Sequence, residues 1–384
     1  MGSLVKTSMP IILAAMISII GVPQPEGPTV SDGTSWRAEV VDADGIVGLW
    51  NSLDLDSEDK PHISYMDLTN YDLKYAKRTG ADWEIETVDT NGDVGGFSSI
   101  ALDSNDRPHI GYARNVNNDH DLKYAFWDGT TWNVEIVDSE GDVGYDVSLV
   151  LDSSGQPHMI YHRSYRFVGA NLSHDLKYAY WEGSEWNIEV VDAYHDFISR
   201  SSLALDSKGN PHISFGARVD GNYTLKYARW NLAGWKIETI DTDGDVGLHN
   251  SLALDGSDRP HIAYYDRTNG ELRYATLAAG SWNIVVVDSQ GQAGAETSMA
   301  LDSNDCPHIG YFDREFNDLK YAYWDGSGWR TEFVDTSHTL QQMLSIALDS
   351  SDQPHLSYCD FVDFDLKYAT KANPFITFSI ESDP

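Results

Sequence analysis

The sequence is poor in cysteine, in basic residues and in long apolar segments. Only Cys306 and Cys359 occur in 384 residues, so a fold that depends on a disulfide framework is excluded. Lys and Arg number 26 against 60 Asp and Glu, which gives a formal net charge of −34. A field of this sign repels phosphate backbones and anionic lipids, so nucleic acid and membrane surfaces are not expected partners.

An apolar run, Met9 to Val22, follows Lys6 near the N-terminus. It is too short to span a bilayer comfortably but suits the apolar core of an export signal. We therefore predict a signal peptide or N-terminal anchor over residues 1–22, a linker rich in Pro and Gly over 23–35, and a tail over 372–384. The protein is expected to be secreted or at the cell surface, monomeric, and not otherwise inserted in a membrane.

The dominant feature of the chain is a repeat with a period of about fifty residues. Each copy contains Trp-x-x-Glu-x-Val-Asp, Ser-Leu-Ala-Leu-Asp-Ser, Pro-His-Ile-x-Tyr and Leu-Lys-Tyr-Ala or close variants of them. These segments, separated by Gly, Asp, Asn or Pro turns, predict four short antiparallel strands. Four strands at this period are typical of a propeller blade, so we predict an all-β, seven-bladed β-propeller over residues 36–371. The repeated histidines are His62, His109, His158, His212, His261, His308 and His355.

The ends of the repeat predict how the ring closes. The first copy begins with Trp36–Asp42, a fourth strand without its hairpin partner, and the last copy stops after its third strand. Trp36–Asp42 should therefore complete the last blade. The same register places the two cysteines roughly 15 Å or more apart at about 3.3 Å per residue, so no disulfide is expected. In the sixth copy, strands are predicted at Ser298–Asp302, Pro307–Phe312, Leu319–Trp324 and Trp329–Asp335.

Residues shared by all copies are interpreted as framework. An active site needs one histidine in one environment, whereas the repeat supplies seven, so each should tie a strand to a neighbouring Asp, Ser or Tyr. The Lys of Leu-Lys-Tyr-Ala is expected to form a salt bridge. The Asp that ends each fourth strand is expected to cap a turn.

The loops between blades carry oxygen donors at alternate positions, as in Asp241-Thr-Asp-Gly-Asp-Val-Gly247. Such loops are similar to calcium loops, although their Gly comes at the fourth rather than the sixth position and no distal Glu follows. A turn stabilised by Asp side chains explains the same residues. No cofactor is expected, and calcium is the one metal hypothesis. Its candidate ligands are Asp89, Asp93, Asp138, Asp142, Asp241, Asp243 and Asp245.

Positions at which the copies disagree are the candidate binding residues. Two residues before the Ser of the first strand, the copies carry Trp50, Phe97, Asp146, Arg200, His249, Glu296 and Met343. The end of the second strand varies among Asp67, Arg114, Arg163, Ala217, Asp266, Asp313 and Asp360. In propellers both positions lie on one face, near the mouth of the central channel. We call this the divergent face and predict the ligand site there.

The hairpin between the third and fourth strands of the sixth copy reads Trp324-Asp-Gly-Ser-Gly-Trp329. With this hairpin and the period, the chain resembles secreted seven-bladed propellers of the fucose-lectin-like and sialidase-like (BNR) groups. The resemblance implies the fold and a lectin-like, carbohydrate-binding role. In such lectins an Arg, a Glu and an aromatic residue bind sugars between adjacent blades. Here the hairpin lacks the Ser/Thr and the Asp-x-Gly spacing of the sialidase Asp-box. The recurring Glu residues are Glu39, Glu86, Glu135, Glu189, Glu238 and Glu332.

No nucleophile–base pair, P-loop, dinucleotide fingerprint or zinc motif stands out from the repeat. We therefore predict an exported binding module that recognises carbohydrate or a cell-surface partner, with no catalytic residue assigned. A structural or adhesive surface protein is one alternative, since fold does not determine function. A glycosidase or lyase at the channel mouth is another. Its candidate residues are Arg114, Arg163, Arg200, His195, His249 and Glu296, with the ring of aspartates.

Overall fold

The computed structural model describes residues 36–116, 119–165, 173–195, 197–219, 221–231, 233–337 and 341–371. The predicted signal or anchor (1–22), linker (23–35) and tail (372–384) lie outside these residues. Across the described ranges, no helix is long and apolar enough to cross a bilayer.

The described residues form twenty-eight strands arranged as seven four-stranded antiparallel sheets. Strand β1 is Trp36–Asp42, and blade 1 contains β2 Leu49–Leu55, β3 Pro61–Asp67, β4 Asp72–Thr79 and β5 Asp82–Asp89. Blade 2 contains β6 Asp93–Leu102, β7 Pro108–Val116, β8 Asp119–Trp127 and β9 Trp132–Asp138. Blade 3 contains β10 Asp142–Leu151, β11 Pro157–Tyr165, β12 Ser173–Glu182 and β13 Glu185–His195. Blade 4 contains β14 Phe197–Leu205, β15 Pro211–Val219, β16 Asn222–Asn231 and β17 Gly234–Asp241.

The remaining blades follow the same plan. Blade 5 contains β18 Val246–Leu254, β19 Pro260–Asp266, β20 Glu271–Ala278 and β21 Ser281–Asp288. Blade 6 contains β22 Ala293–Leu301, β23 Pro307–Asp313, β24 Asp318–Trp324 and β25 Trp329–Asp335. Blade 7 contains β26 Gln341–Leu348, β27 Pro354–Asp360, β28 Asp365–Lys371 and the N-terminal β1, which pairs with β28. The predicted fold and the closure by Trp36–Asp42 are thus confirmed.

A ring of serine hydroxyls joins the inner strands around the channel. The Ser52 hydroxyl accepts a hydrogen bond of 3.2 Å from the Ile100 N–H of the next blade. Ser345 closes the ring by accepting from the Leu53 N–H at 3.0 Å. A backbone donor is thereby satisfied at every junction between blades. The other links join Leu149 to Ser99, Leu203 to Ser148, Leu252 to Ser202, Met299 to Ser251 and Ile346 to Ser298.

The Asp at the end of a fourth strand anchors the following blade. Asp138 accepts hydrogen bonds from the Tyr161 hydroxyl at 2.7 Å, from the Lys177 ammonium and from the Glu140 N–H. Burial alone would raise the pKa of Asp138, but these donors outweigh it and the pKa is lowered. The predicted salt bridges and turn caps are therefore present. Equivalent Tyr and Lys or Arg contacts are made by Asp42, Asp89, Asp241 and Asp288.

The repeated His and Trp residues also serve the framework. His62 Nδ1 lies 2.5 Å from the Tyr75 hydroxyl and its Nε2 lies 3.4 Å from Asp56 Oδ2. All seven repeated histidines make the same pair of contacts. Trp132 Nε1 donates to Glu86 of the preceding blade at 3.0 Å. Five of the six recurring Glu residues, to which the resemblance assigns sugar binding, accept a hydrogen bond from an indole in this way.

The cysteines and the first strand of blade 6 differ in how well they match the expectations from the sequence. Cys306 and Cys359 are free, as predicted. The predicted start of the first strand in blade 6 is wrong, because the strand begins at Ala293 rather than Ser298. A β-bulge between Ala295 and Ser298 interrupts its pairing and hides the alternation of side chains from sequence inspection.

The buried Asp–Lys pair can be tested by removing the cation. Lys177→Met leaves Asp138 without a counter-charge, and both side chains are about 5% exposed. We expect the free energy of unfolding to fall by about 3 kcal/mol in urea titrations at pH 7. Lys226→Met is the matched control, because its pair with Asp192 is more exposed and should cost less. Equal losses in the two variants would contradict this interpretation.

Candidate functional site

The divergent residues occupy β-bulges in the inner strands. Six have positive φ: Trp50 (49°), Phe97 (55°), Asp146 (49°), His249 (49°), Glu296 (52°) and Met343 (61°). Arg200 stands at the corresponding bulge between Ser199 and Ser201. This conformation is uncommon for residues other than Gly and costs on the order of 1–3 kcal/mol each. Bulges of this kind re-aim side chains next to functional sites.

These bulges surround the mouth of the central channel. Five of the seven divergent residues line a cavity of about 170 Å³. The serines of the ring and several other hydroxyl and amide side chains complete its wall, so the cavity is rich in hydrogen-bonding groups. The divergent lining residues are Trp50, Phe97, Asp146, Arg200 and Met343.

One side of the mouth carries three charged side chains and a histidine, which we call the charged arc: Arg200, His249, Glu296 and Arg314. Arg200 Nη2 lies 2.5 Å from Glu296 Oε2, and His249 Nδ1 lies 3.3 Å from Glu296 Oε1. Arg314 Nη2 lies 3.4 Å from His249 Nε2. Burial would raise the pKa of Glu296, but Arg200, His249 and Arg314 outweigh it and the pKa is lowered. Burial lowers the pKa of His249 to about 4, so this imidazole is neutral at pH 7.

The opposite side carries a run of aromatic rings, which we call the aromatic arc: Trp50, Phe97, Tyr145 and His120. The ring centroids of Trp50 and Phe97 lie 5.1 Å apart, and those of Phe97 and Tyr145 lie 5.5 Å apart. Tyr145 and His120 follow at 4.5 Å. The Asp142 carboxylate orients the last two by accepting from the Tyr145 hydroxyl and contacting His120 Nδ1, each at 2.9 Å. All four side chains are partly exposed.

Asp146 also lines the cavity and is the titratable group that stands out there. His162 Nδ1 lies 3.5 Å from Asp146 Oδ2, while His162 Nε2 lies 3.1 Å from the Ser201 hydroxyl. Burial raises the pKa of Asp146 to about 6, with Arg200 opposing and Glu296 adding to the shift. Burial also lowers the pKa of His162 to about 3, so the imidazole beside Asp146 is uncharged at pH 7. Asp146 therefore changes protonation near pH 6.

The residues predicted at the end of the second strand lie apart from the cavity. Asp266, Asp313 and Asp360 are buried and accept hydrogen bonds from the turn that follows or from a nearby cation. Arg114 Nη1 lies 3.8 Å from Asp121, and Arg163 Nη2 lies 3.8 Å from Glu140. In the described structure neither of the two arginines lines the cavity. The side chain of His195 lies outside the described residues.

Several residues of the site were not identified from the sequence. His162 and Arg314 occur next to the candidate residues at the second-strand ends, but only the fold brings them beside Asp146 and Glu296. Tyr145 directly precedes a divergent position, where the other copies carry Leu, Gly, Ser, Ala or Gln. The position before each divergent residue thus also varies among the copies, and this variation could have identified Tyr145 as a candidate. His120 had no comparable signal, since it belongs to the third strand of blade 2.

Five of the seven predicted calcium ligands are engaged by protein donors. Asp89, Asp138 and Asp241 each hold a Tyr hydroxyl and a Lys or Arg. Asp142 holds His120 and Tyr145, and Asp245 accepts the Tyr223 N–H and pairs with Arg267. Among the residues that the structure describes, no group of three or more His, Cys, Asp or Glu is arranged to hold a metal ion.

Comparison with known proteins identifies the fold. The chain matches no protein-family model and no curated protein sequence. A PL25 ulvan lyase solved with -[GlcA(1-4)Rha3S]- is similar at a TM-score of 0.60 and 14% identity, over 88% of this chain and 98% of its own. The Hadza microbial sialidase Hz136 follows at 0.54 and 11%, over 82% and 73%. A protein of unknown function from Dyadobacter fermentans gives 0.51 and 10%, over 88% and 99%. This chain is therefore a seven-bladed β-propeller whose structural neighbours include a lyase and a sialidase.

The raised pKa of Asp146 predicts a pH-dependent stability. The folded pKa of about 6 exceeds the ordinary value of 3.8, so the folded state binds protons more tightly and loses stability as pH rises from about 4 to about 6. Relative to wild type, Asp146→Asn should gain about 2 kcal/mol between pH 4 and pH 7. Asp142→Asn is the control and should change in the opposite sense, because the pKa of Asp142 is lowered. A pH-independent difference for Asp146→Asn would contradict the assignment.

The calcium hypothesis predicts an effect of chelator on thermal unfolding, whereas capped turns predict none. Because five of the seven candidate carboxylates already have protein donors, we expect the same melting temperature in EDTA and in millimolar calcium. Differential scanning fluorimetry measures this directly, with magnesium as the ionic-strength control. A melting temperature that rises with calcium and not with magnesium would restore the metal site.

Proposed function

We propose that the protein binds carbohydrate at the mouth of the central channel on the divergent face. The observation that carries this proposal is the pairing of the aromatic arc with the charged arc around one cavity. Sugars present C–H faces that pack on aromatic rings and hydroxyl edges that need hydrogen-bond partners. Ligand sites commonly combine apolar and aromatic walls with a few oriented polar groups.

The structural neighbours support a carbohydrate-related role. The ulvan lyase was solved with a bound saccharide, and a second neighbour above a TM-score of 0.5 is a sialidase. The strained backbone adds independent support. A Gly at each bulge would avoid the cost of positive φ, yet this chain places Trp, Phe, Asp, His, Glu and Met there.

We propose further that the protein acts outside the cytoplasm. Lys6 and the apolar run from Met9 to Val22 support export. The acidic composition favours solubility and disfavours binding to anionic partners. A glycan or a cell-surface glycoprotein is the partner that fits this location.

A glycan array tests the proposal. Wild-type protein should bind a defined group of glycans, and Trp50→Ala should lose at least tenfold in affinity because it removes a wall of the cavity. Trp324→Ala is the matched control, since this partly exposed Trp lies in an outer hairpin opposite Trp329. Absence of binding in the wild type, or equal losses in both variants, would contradict carbohydrate binding at the channel mouth.

A second candidate function, glycan cleavage by a glycosidase or lyase, is favoured by one observation. At the same channel mouth the pKa of Asp146 is raised and that of Glu296 is lowered. Two carboxyl groups held in opposite protonation states are the usual arrangement for acid and base roles. Release of reducing ends from array-positive glycans, lost in Asp146→Asn, would support cleavage. Silence in both assays would leave a structural or adhesive role.

A further inference from the structure

We propose that the aromatic arc is a series of consecutive sugar subsites, so that the ligand is an internal stretch of a linear polysaccharide. The inference rests on the proposed carbohydrate function and specifies its ligand class. It distinguishes recognition of a chain from recognition of a single terminal sugar.

The path of the rings leads away from the cavity. Trp50 and Phe97 line the cavity, whereas Tyr145 and His120 do not. His120 belongs to β8, the third strand of its blade, which is farther from the channel axis than the inner strands. The arc therefore leaves the channel mouth and continues outward over blades 2 and 3.

The spacing of the rings suits a chain of sugar units. Successive centroids lie 5.1, 5.5 and 4.5 Å apart, which is comparable to the length of one sugar unit in an extended chain. The rings are tilted by 51°, 59° and 53° rather than stacked face to face. Each ring also keeps part of its surface exposed. A ligand that contacts all four rings must therefore be several units long.

The cavity is too small to hold a glycan of several units. At about 170 Å³ it is smaller than the roughly 300–1,000 Å³ of pockets that bury a drug-sized ligand. It has room for one sugar ring at most. Any further units of a bound glycan must rest on the surface outside, and the aromatic arc is the surface that continues from the cavity wall.

The outer end of the arc is held in place by Asp142. Asp142 accepts the His120 N–H at 2.9 Å and the Tyr145 hydroxyl at 2.9 Å, and it contacts the His120 ring. Burial opposes ionisation of Asp142, but His120 and Tyr145 outweigh it, so the pKa is lowered. The carboxylate fixes two side chains that would otherwise be free to rotate, which reduces the entropy lost on binding.

The test is the dependence of affinity on chain length. Affinity electrophoresis in gels containing alginate, xylan or mixed-linkage β-glucan, together with the array, first identifies a binding polysaccharide. Calorimetry then uses its oligosaccharides of one to five units. We expect the wild-type Kd to fall at least tenfold between one and three units and to level off afterwards.

Substitutions in the aromatic arc test whether its rings cause the dependence of affinity on chain length. Tyr145→Ala should weaken binding of the trisaccharide and longer chains about tenfold while leaving the monosaccharide unchanged. Tyr145→Phe keeps the ring and should retain most of the affinity. Phe316→Ala is the matched control, because this side chain is 38% exposed in the loop between β23 and β24 of blade 6, away from the aromatic arc. Thermal unfolding of each variant checks that folding is unaffected.

The outcomes separate this inference from the proposed function. Glycan binding whose affinity does not depend on length would overturn the subsites and leave carbohydrate binding intact. No glycan binding at all would overturn both. If Tyr145→Ala fails to fold, His120→Ala removes the outer ring of the arc, which does not line the cavity, and should show the same length-dependent loss. Binding unchanged at every length would overturn the subsites.

Discussion

The hydrogen bond between an inner-strand N–H and the serine of the preceding blade determines the geometry on which the site depends. It recurs at all seven junctions and fixes how far each inner strand is shifted along the channel relative to the next. The bulged residue stands two positions before that serine in every blade. The seven divergent residues therefore start from equivalent backbone positions around the channel. Differences in sequence among the copies become differences in side chain from one blade to the next.

The backbone strain at the bulges is offset by stabilising contacts that recur in every blade. Six residues at positive φ together oppose folding by several kcal/mol. Seven serine links, the buried Asp–Lys–Tyr contacts and the edge-on Trp–Tyr pairs between blades act cooperatively against that strain. A closed ring has no terminal blade at which unfolding can begin. Side chains at the bulges are thus free to vary for binding without loss of the fold.

Two things could be predicted from the sequence: the parts of the structure that repeat, and the single positions at which the copies carry different residues. The ring closure by Trp36–Asp42 followed from where the first and last copies are cut. The channel-mouth positions of Trp50 and Arg200 followed from the disagreement among copies. The two arcs did not follow, because each depends on residues from different blades. The bulges did not follow either, because they interrupt the alternation of side chains along the strand. His120 and Tyr145, whose rings are in contact, lie 25 positions apart in the sequence and gave no shared pattern. The aspartates after the second strands were expected at the site, but their environment is a buried turn.

Much of the excess of acidic residues behind the net charge of −34 belongs to the repeated framework and not to the channel mouth. The fourth-strand Asp residues pair with a buried Lys or Arg and accept a hydrogen bond from a Tyr hydroxyl, or they cap a turn. At the channel mouth, by contrast, Arg200 and Arg314 stand beside one ionised carboxylate, Glu296, and Asp146 is neutral below about pH 6. The local balance of charge is therefore close to even or slightly positive within an acidic molecule. Such a site can hold a polar, weakly charged chain close to the protein, while the overall field keeps nucleic acid and anionic membranes away.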